Sequence, residues 1–230
     1  MKMNKTRTLT MIGALVVLLA MLVGTTYALF TDKATITNHL NSGDMQLTLI
    51  RTDYTHMMLD QDGFVADVTP DGHDDPKDFS APVSENMFNL DEAQRFVPGS
   101  SVSADMVLSN ADVNSDTAFN YWFTIVVKGV EDEELPAFVD ALLLDVAIEG
   151  HPEFSVSGIR LGDEAYVNAE TGEITFGTAT APIGVLKIGG EQKFTVTVSV
   201  DVNAGNEISN QEILIDLIVN AVQQVTRPNP

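Results

Sequence analysis

The stretch "KFTVTVSVDV", Lys193 to Val202, decides the fold class. It places Phe194, Val196, Val198, Val200 and Val202 on one side and the Thr and Ser residues on the other. An alternation of period two is what a strand shows when one face is buried and the other meets water. The same alternation recurs in Met45 to Leu49 (MQLTL) and in Val102 to Leu108 (VSADMVL). Ala118 to Gly129 (AFNYWFTIVVKG) is more continuously apolar and rich in aromatic and β-branched residues. It reads as a central strand covered on both faces, although an apolar run of this length also suits a short helix. Glu212 to Val225 (EILIDLIVNAVQQV) belongs to the same core. Many strands with few helices imply a mainly β chain, an antiparallel jelly-roll-like β-sandwich.

Between these strands the sequence predicts one or two short helices. Glu131-Asp132-Glu133-Glu134 carries the acidic residues that favour a helix N-terminus, Pro136 suits a first turn, and Phe138, Ala141 and Leu142 share a face. A strand follows in "LLLDVAIEG", Leu142 to Gly150. Next comes an expected hairpin in "AYVNAETGEITFG", Ala165 to Gly177, turning at Glu170-Thr171-Gly172-Glu173. From Thr52 to Arg95 the alternation fades into a stretch rich in Asp, Gly and Pro, which reads as a long acidic surface insertion.

The chain begins with a positive segment (Lys2, Lys5, Arg7), an uncharged core from Met11 to Val23, and small residues at Thr26 and Ala28. This is the pattern of a secretory signal peptide cleaved after Ala28, before Leu29. Left uncleaved, Thr8 to Phe30 is long enough to cross a bilayer core of roughly 30 Å. The expected organisation is a signal peptide over 1–28, an N-terminal strand segment over 29–42, a β domain over 43–225 carrying the insertion 52–95, and a tail over 226–230. Membrane association is expected only through the uncleaved segment.

The formal net charge of −21 becomes −24 once residues 1–28 are removed, because that segment holds three positive charges and no negative ones. Such a surface repels nucleic acid and anionic membranes. With no cysteine, neither a disulfide framework nor a thiolate zinc site is available, so stability must come from the core. The four histidines, His39, His56, His73 and His151, are scattered without ligand spacing and read as exposed loop or strand-edge residues. No catalytic motif is visible. Calcium is the one cofactor the residues suggest: Asp60, Asp62, Asp71, Asp74 and Asp75 offer hard oxygen ligands beside Gly63 and Gly72. The glutamate an EF-hand needs at its twelfth position is missing, and a solvated acidic loop accounts for the same residues.

Three features taken together resemble the TasA/camelysin family of secreted biofilm-matrix proteins. They are the start "LFTDKATITNHLNSGDMQLTL", the "FVPG" turn at Phe96 to Gly99 leading into a strand that ends in Ser109-Asn110, and the terminal "NAVQ" at Asn220 to Gln223. The resemblance implies removal of the signal by a dedicated signal peptidase near Ala28 or Leu29. It also implies a jelly-roll fold and an extracellular or cell-surface location on a Gram-positive-type bacterium. Fibre-forming members polymerise head to tail, the N-terminal strand of one subunit filling a groove in the next. That role falls here on Phe30 to Asn38, with Phe30, Ala34, Ile36 and Asn38 as the donor-strand positions and a second copy of the chain as the partner. Pairing of this strand within its own subunit is the alternative. An anchor or accessory matrix protein is a further implied partner. Camelysin-type members are described as metallopeptidases, but no zinc motif is present to carry that activity. A camelysin-like surface metallopeptidase and a calcium-dependent adhesin module are the alternative functions.

Overall fold

The computed structural model describes residues 28–38, 47–72, 76–78, 87–90, 96–110, 118–129, 137–168, 171–205 and 211–224. Most of the expected signal segment, the helix start at 131–136, Asp74, Asp75, His39 and His73 lie outside the described residues.

The strands are β1 (Ala28–Asn38), β2 (Leu47–Leu59), β3 (Val65–Asp67), β4 (Lys77–Asp78), β5 (Ser101–Asn110), β6 (Phe119–Gly129), β7 (Leu142–Ile148), β8 (Val156–Arg160), β9 (Glu173–Phe176), β10 (Gly184–Leu186), β11 (Glu191–Val200) and β12 (Gln211–Gln223). They form two sheets, one ordered β1-β12-β6-β10 with β9 also on β6, the other β3-β2-β5-β11-β7-β8 with β4 also on β2. The chain passes between the sheets at β1 to β2, β5 to β6, β6 to β7, β8 to β9, β10 to β11 and β11 to β12, giving a jelly-roll-like sandwich. Every described strand pair is antiparallel except β1 with β12.

The alternation read from the sequence is the alternation of burial. In β11, Phe194, Val196, Val198 and Val200 are buried while Thr195, Thr197 and Ser199 face outward. Their inward side chains meet those of β6 across the sandwich, where the Phe194 and Phe123 rings lie 4.4 Å apart between centroids. One polar contact crosses the same gap: the Tyr121 hydroxyl donates to Gln192 Oε1 at 2.6 Å. Burial pushes the Tyr121 pKa up to about 12, so the phenol stays a donor.

Four expectations need correction. β11 stops at Val200, and Val202, expected on the apolar face, is 74% exposed. The strand is ended by Asp201, whose Oδ1 accepts from the Asn203 backbone and whose Oδ2 accepts from Arg160 Nη2 at 2.6 Å. β6 is covered fully on only one face, with Asn120, Trp122 and Val126 half-buried on the other. Two short helices are described, both of 3-10 type rather than α-helical, Ala137–Ala141 and Pro152–Phe154, and Phe138, Ala141 and Leu142 are buried as expected. The hairpin at 165–177 keeps only its second strand, β9. Residues 163–168 instead fold into turns around Asp163, which accepts from the Ala165 backbone through Oδ1 and from Tyr166 and Val167 through its carbonyl.

The insertion is not confined to the surface. β2 runs on to Leu59, through an irregularity between Arg51 and Asp53 that shifts its register against β5. Before it Leu47, Leu49 and Arg51 face inward; after it Tyr54, His56 and Met58 do. One extra residue in a strand exchanges its faces, which is why the alternation breaks at Thr52. Further along the insertion, Met87 and Phe88 are buried in the core at 0% and 1% exposure.

Candidate functional site

The edge formed by β12 and β1 is the candidate site. β12 spans 13 residues, with Ile215, Leu217, Val219 and Ala221 buried and Leu214, Asp216, Ile218 and Asn220 half-buried. On one side it pairs with β6, from Ile213 opposite Gly129 to Gln223 opposite Phe119. On the other it pairs in parallel with β1 over 11 positions, from Ala28 beside Gln211 to Asn38 beside Ala221. The expected donor positions Phe30, Ala34, Ile36 and Asn38 stand in register with Ile213, Leu217, Val219 and Ala221. Within this chain, therefore, the N-terminal strand pairs in its own subunit, and it does so as the outermost strand of its sheet. Ala28 and Leu29, at the expected cleavage point, occupy the first two register positions of the strand.

A strand held along one side only leaves when that one ladder opens. What it would leave behind is a long, apolar edge with a full row of backbone donors and acceptors, a template for another strand.

A second arrangement, missed from sequence, fixes the insertion. Arg51 and His56 are each 1% exposed. Arg51 Nη1 donates to the Met87 carbonyl at 3.1 Å, and the His56 Nε2 lies 2.6 Å from the Phe88 carbonyl. The guanidinium carbon sits 5.0 Å from the centroid of the Tyr54 ring, which in turn lies 5.1 Å from the His56 ring. Two adjacent carbonyls of the insertion are thereby held by two side chains of β2. Asn89 follows at φ 56, a left-handed conformation that Asn tolerates better than most residues. His56 is therefore not an exposed histidine. The signal that could have identified it is the alternation itself: allowing one skipped residue at Thr52-Asp53 puts Tyr54, His56 and Met58 back on the buried face.

Burial lowers the His56 pKa from its ordinary 6.5; the Phe88 carbonyl acts to raise it, Arg51 to lower it further and Asp67 to raise it. The unfolded chain thus takes up a proton near pH 6.5 that the folded chain takes up only at lower pH. The associated stability is complete above that value and is lost as the pH falls below it. His56→Gln keeps an amide donor within reach of Phe88 but does not titrate. Between pH 7 and pH 5 the native protein is expected to lose more thermal stability than this variant, and equal losses would remove the assignment.

The calcium candidates separate. Asp60 and Asp62 sit in the turn joining β2 to β3, where Asp60 Oδ1 accepts from the backbones of Asp62 and Phe64, both at 2.9 Å. Gly63, at φ 86, supplies the left-handed step. Asp71 lies in the following turn, and Asp74 and Asp75 are outside the described residues. Among the described residues no group of three or more His, Asp or Glu is placed to hold a metal ion, and no helix is long and apolar enough to cross a membrane.

A groove of about 680 Å³ lies over the outer face of β2, β5, β11 and β7, with Asp105, Glu149 and Lys193 among its walls. Its floor is already paired, Thr195 Oγ1 donating to Asp105 Oδ1 at 2.6 Å and Thr52 Oγ1 to the Asp105 carbonyl.

No protein-family model matches the sequence, and no curated protein matches it. Among solved structures, the chain is similar to AvmM, described as catalysing macrocyclization in alchivemycin A biosynthesis. That similarity is at 10% identity, over 59% of this chain and 85% of that one, with a TM-score of 0.29, a level that carries no argument.

Proposed function

We propose that this chain is a secreted structural subunit that assembles into extracellular matrix fibres, β1 of one copy occupying the β12 edge of the next. One observation carries the reading: among the described strands, the N-terminal strand is an outermost one held by a single ladder, directly after the expected signal segment. A strand in that position can be exchanged between identical subunits by opening one ladder, because among the described strands β1 pairs with β12 alone. A contact that joins two different surfaces of the same molecule propagates as an open filament when its rotation does not close a ring. Retention of residues 1–28 until export would keep the strand from pairing prematurely in the cell. The partners are further copies of the chain, the signal peptidase that frees the strand, and an anchor or accessory matrix protein at the cell surface. No catalytic residue and no metal is needed for this role. Negative-stain microscopy of the chain beginning at Leu29, over a range of concentrations, tests it: fibres are expected, and a protein that stays monomeric throughout would defeat the reading.

A further inference from the structure

Strand donation, on the reading just given, leaves open the direction in which the donated strand runs. The positions of the strand ends decide it. Asn38, the last residue of β1, stands beside Ala221, and β12 ends two residues later with Gln223 opposite Phe119. Phe119 pairs with Leu186, whose carbonyl accepts from Asn110 Nδ2, and Asn110 pairs with Leu47, the first residue of β2. Asn38 and Leu47 therefore lie at the same end of the sandwich. Ala28 lies at the other end, where β12 begins. That far end also carries two exposed apolar side chains, Phe64 at 71% and Val202 at 74%, on the loops beside Gly99.

The tether from Asn38 to Leu47 is residues 39–46, eight residues that reach roughly 32 Å at full extension. Strand β1 itself is 11 residues, about 36 Å long. In an end-to-end, head-to-tail stack, the tethered end of one subunit faces the far end of the next. A donated strand running parallel to the neighbour's β12 would put its Asn38 at the neighbour's distant end. The tether would then have to cross the strand's whole length and the junction as well, which exceeds its reach. Run the other way, Asn38 stays at the junction and the strand extends into the neighbour from there.

We propose that β1 is accepted by a second copy of the chain in the antiparallel direction, and that the parallel pairing within the chain is a self-capped form that must open before assembly. The driving force is consistent with the change. β1–β12 is the one parallel pair among the described strands, and parallel pairing is slightly less stable per residue than antiparallel. Reversal makes the sheet of described strands wholly antiparallel, and the end-to-end stack itself places Phe64 and Val202 at the junction between subunits.

The absence of native cysteine makes a disulfide test clean. In the self-capped form Thr31 stands beside Leu214. In an antiparallel pairing over the same span it stands beside Ile218, and Asn220 covers a register shift by two residues. These positions are about 13 Å or more along β12 from Leu214, too far for a single disulfide to bridge both arrangements. Oxidised as a monomer, the Thr31→Cys, Leu214→Cys chain is expected to close an internal disulfide and form no fibres, and reduction is expected to restore them. Thr31→Cys combined with Ile218→Cys or Asn220→Cys is expected to stay uncrosslinked as a monomer and to give a ladder of linked chains when the polymer is oxidised. Chains linked in the polymer through positions 31 and 214 would overturn the reversal while leaving strand donation intact. An internally locked chain that polymerises as fast as its reduced form would overturn the self-capped state. Failure of every reduced variant and of the parent chain to polymerise would overturn both this proposal and the function it rests on.

Discussion

A chain beginning at Gly43 is expected to form no fibres under conditions in which the chain beginning at Leu29 forms them. The shortened chain keeps the described buried core, in which side chains of β2, β5, β6, β7, β11 and β12 pack together with Met87, Phe88, Phe96 and Phe138. What it lacks is the only described strand paired with the outer side of β12. The deletion thus separates assembly from folding: circular dichroism should still report a β-rich fold while microscopy shows no polymer. The exposed β12 edge should also make the shortened chain more prone to irregular aggregation, because a long apolar edge without a partner recruits other strands unselectively. Regular fibres from the chain beginning at Gly43 would place assembly elsewhere on the molecule.

Arg51→Met is expected to destabilise the fold by about 3 kcal/mol. Methionine nearly fills the space but cannot donate, so the buried Met87 carbonyl loses its bond from Arg51. An unsatisfied buried acceptor costs roughly 1–3 kcal/mol, and the stacked guanidinium on Tyr54 adds about 0.5–2 kcal/mol more. The measurement is denaturant unfolding of the two proteins side by side, with proteolysis of the insertion as a second readout. The variant should be cut within 60–95 sooner than the parent, since the contact that holds Met87 and Phe88 in place is weakened. A loss under about 0.5 kcal/mol, the range of an ordinary surface substitution, would mean that Arg51 does not fasten the insertion.

The parts of this fold that were legible in the sequence are those where one face of a strand is buried and the other is wet. β5 and β11 were read directly, because their apolar and polar residues alternate without interruption. β7 was read from a shorter run, and β12 from composition. Legibility ended where a local event breaks the period. The irregularity after Arg51 exchanged the faces of β2 and hid the strand's second half inside what looked like a loop. Arg51 and His56 were concealed for a further reason: a polar residue at an alternating position is ordinarily read as facing water, and only the carbonyls of Met87 and Phe88, more than 30 positions away, reveal why these two face inward. Alternation alone places Val202 on the buried face, because it carries no information about where Asp201 turns the chain. For the candidate site, alternation in Ala34 to Asn38 could mark a strand. It could not give the direction of pairing, because a strand's side chains alternate identically whether its neighbour runs parallel or antiparallel.

The central claim is that the β12 edge accepts the N-terminal strand from outside the chain. The most direct measurement is calorimetric titration of the chain beginning at Gly43 with a synthetic peptide spanning Ala28 to Asn38, beside a scrambled peptide of the same composition. Saturable binding at one peptide per chain, with a negative heat-capacity change and a raised melting temperature for the complex only, is the predicted result. A folded acceptor that shows no heat and no thermal shift with either peptide would contradict it.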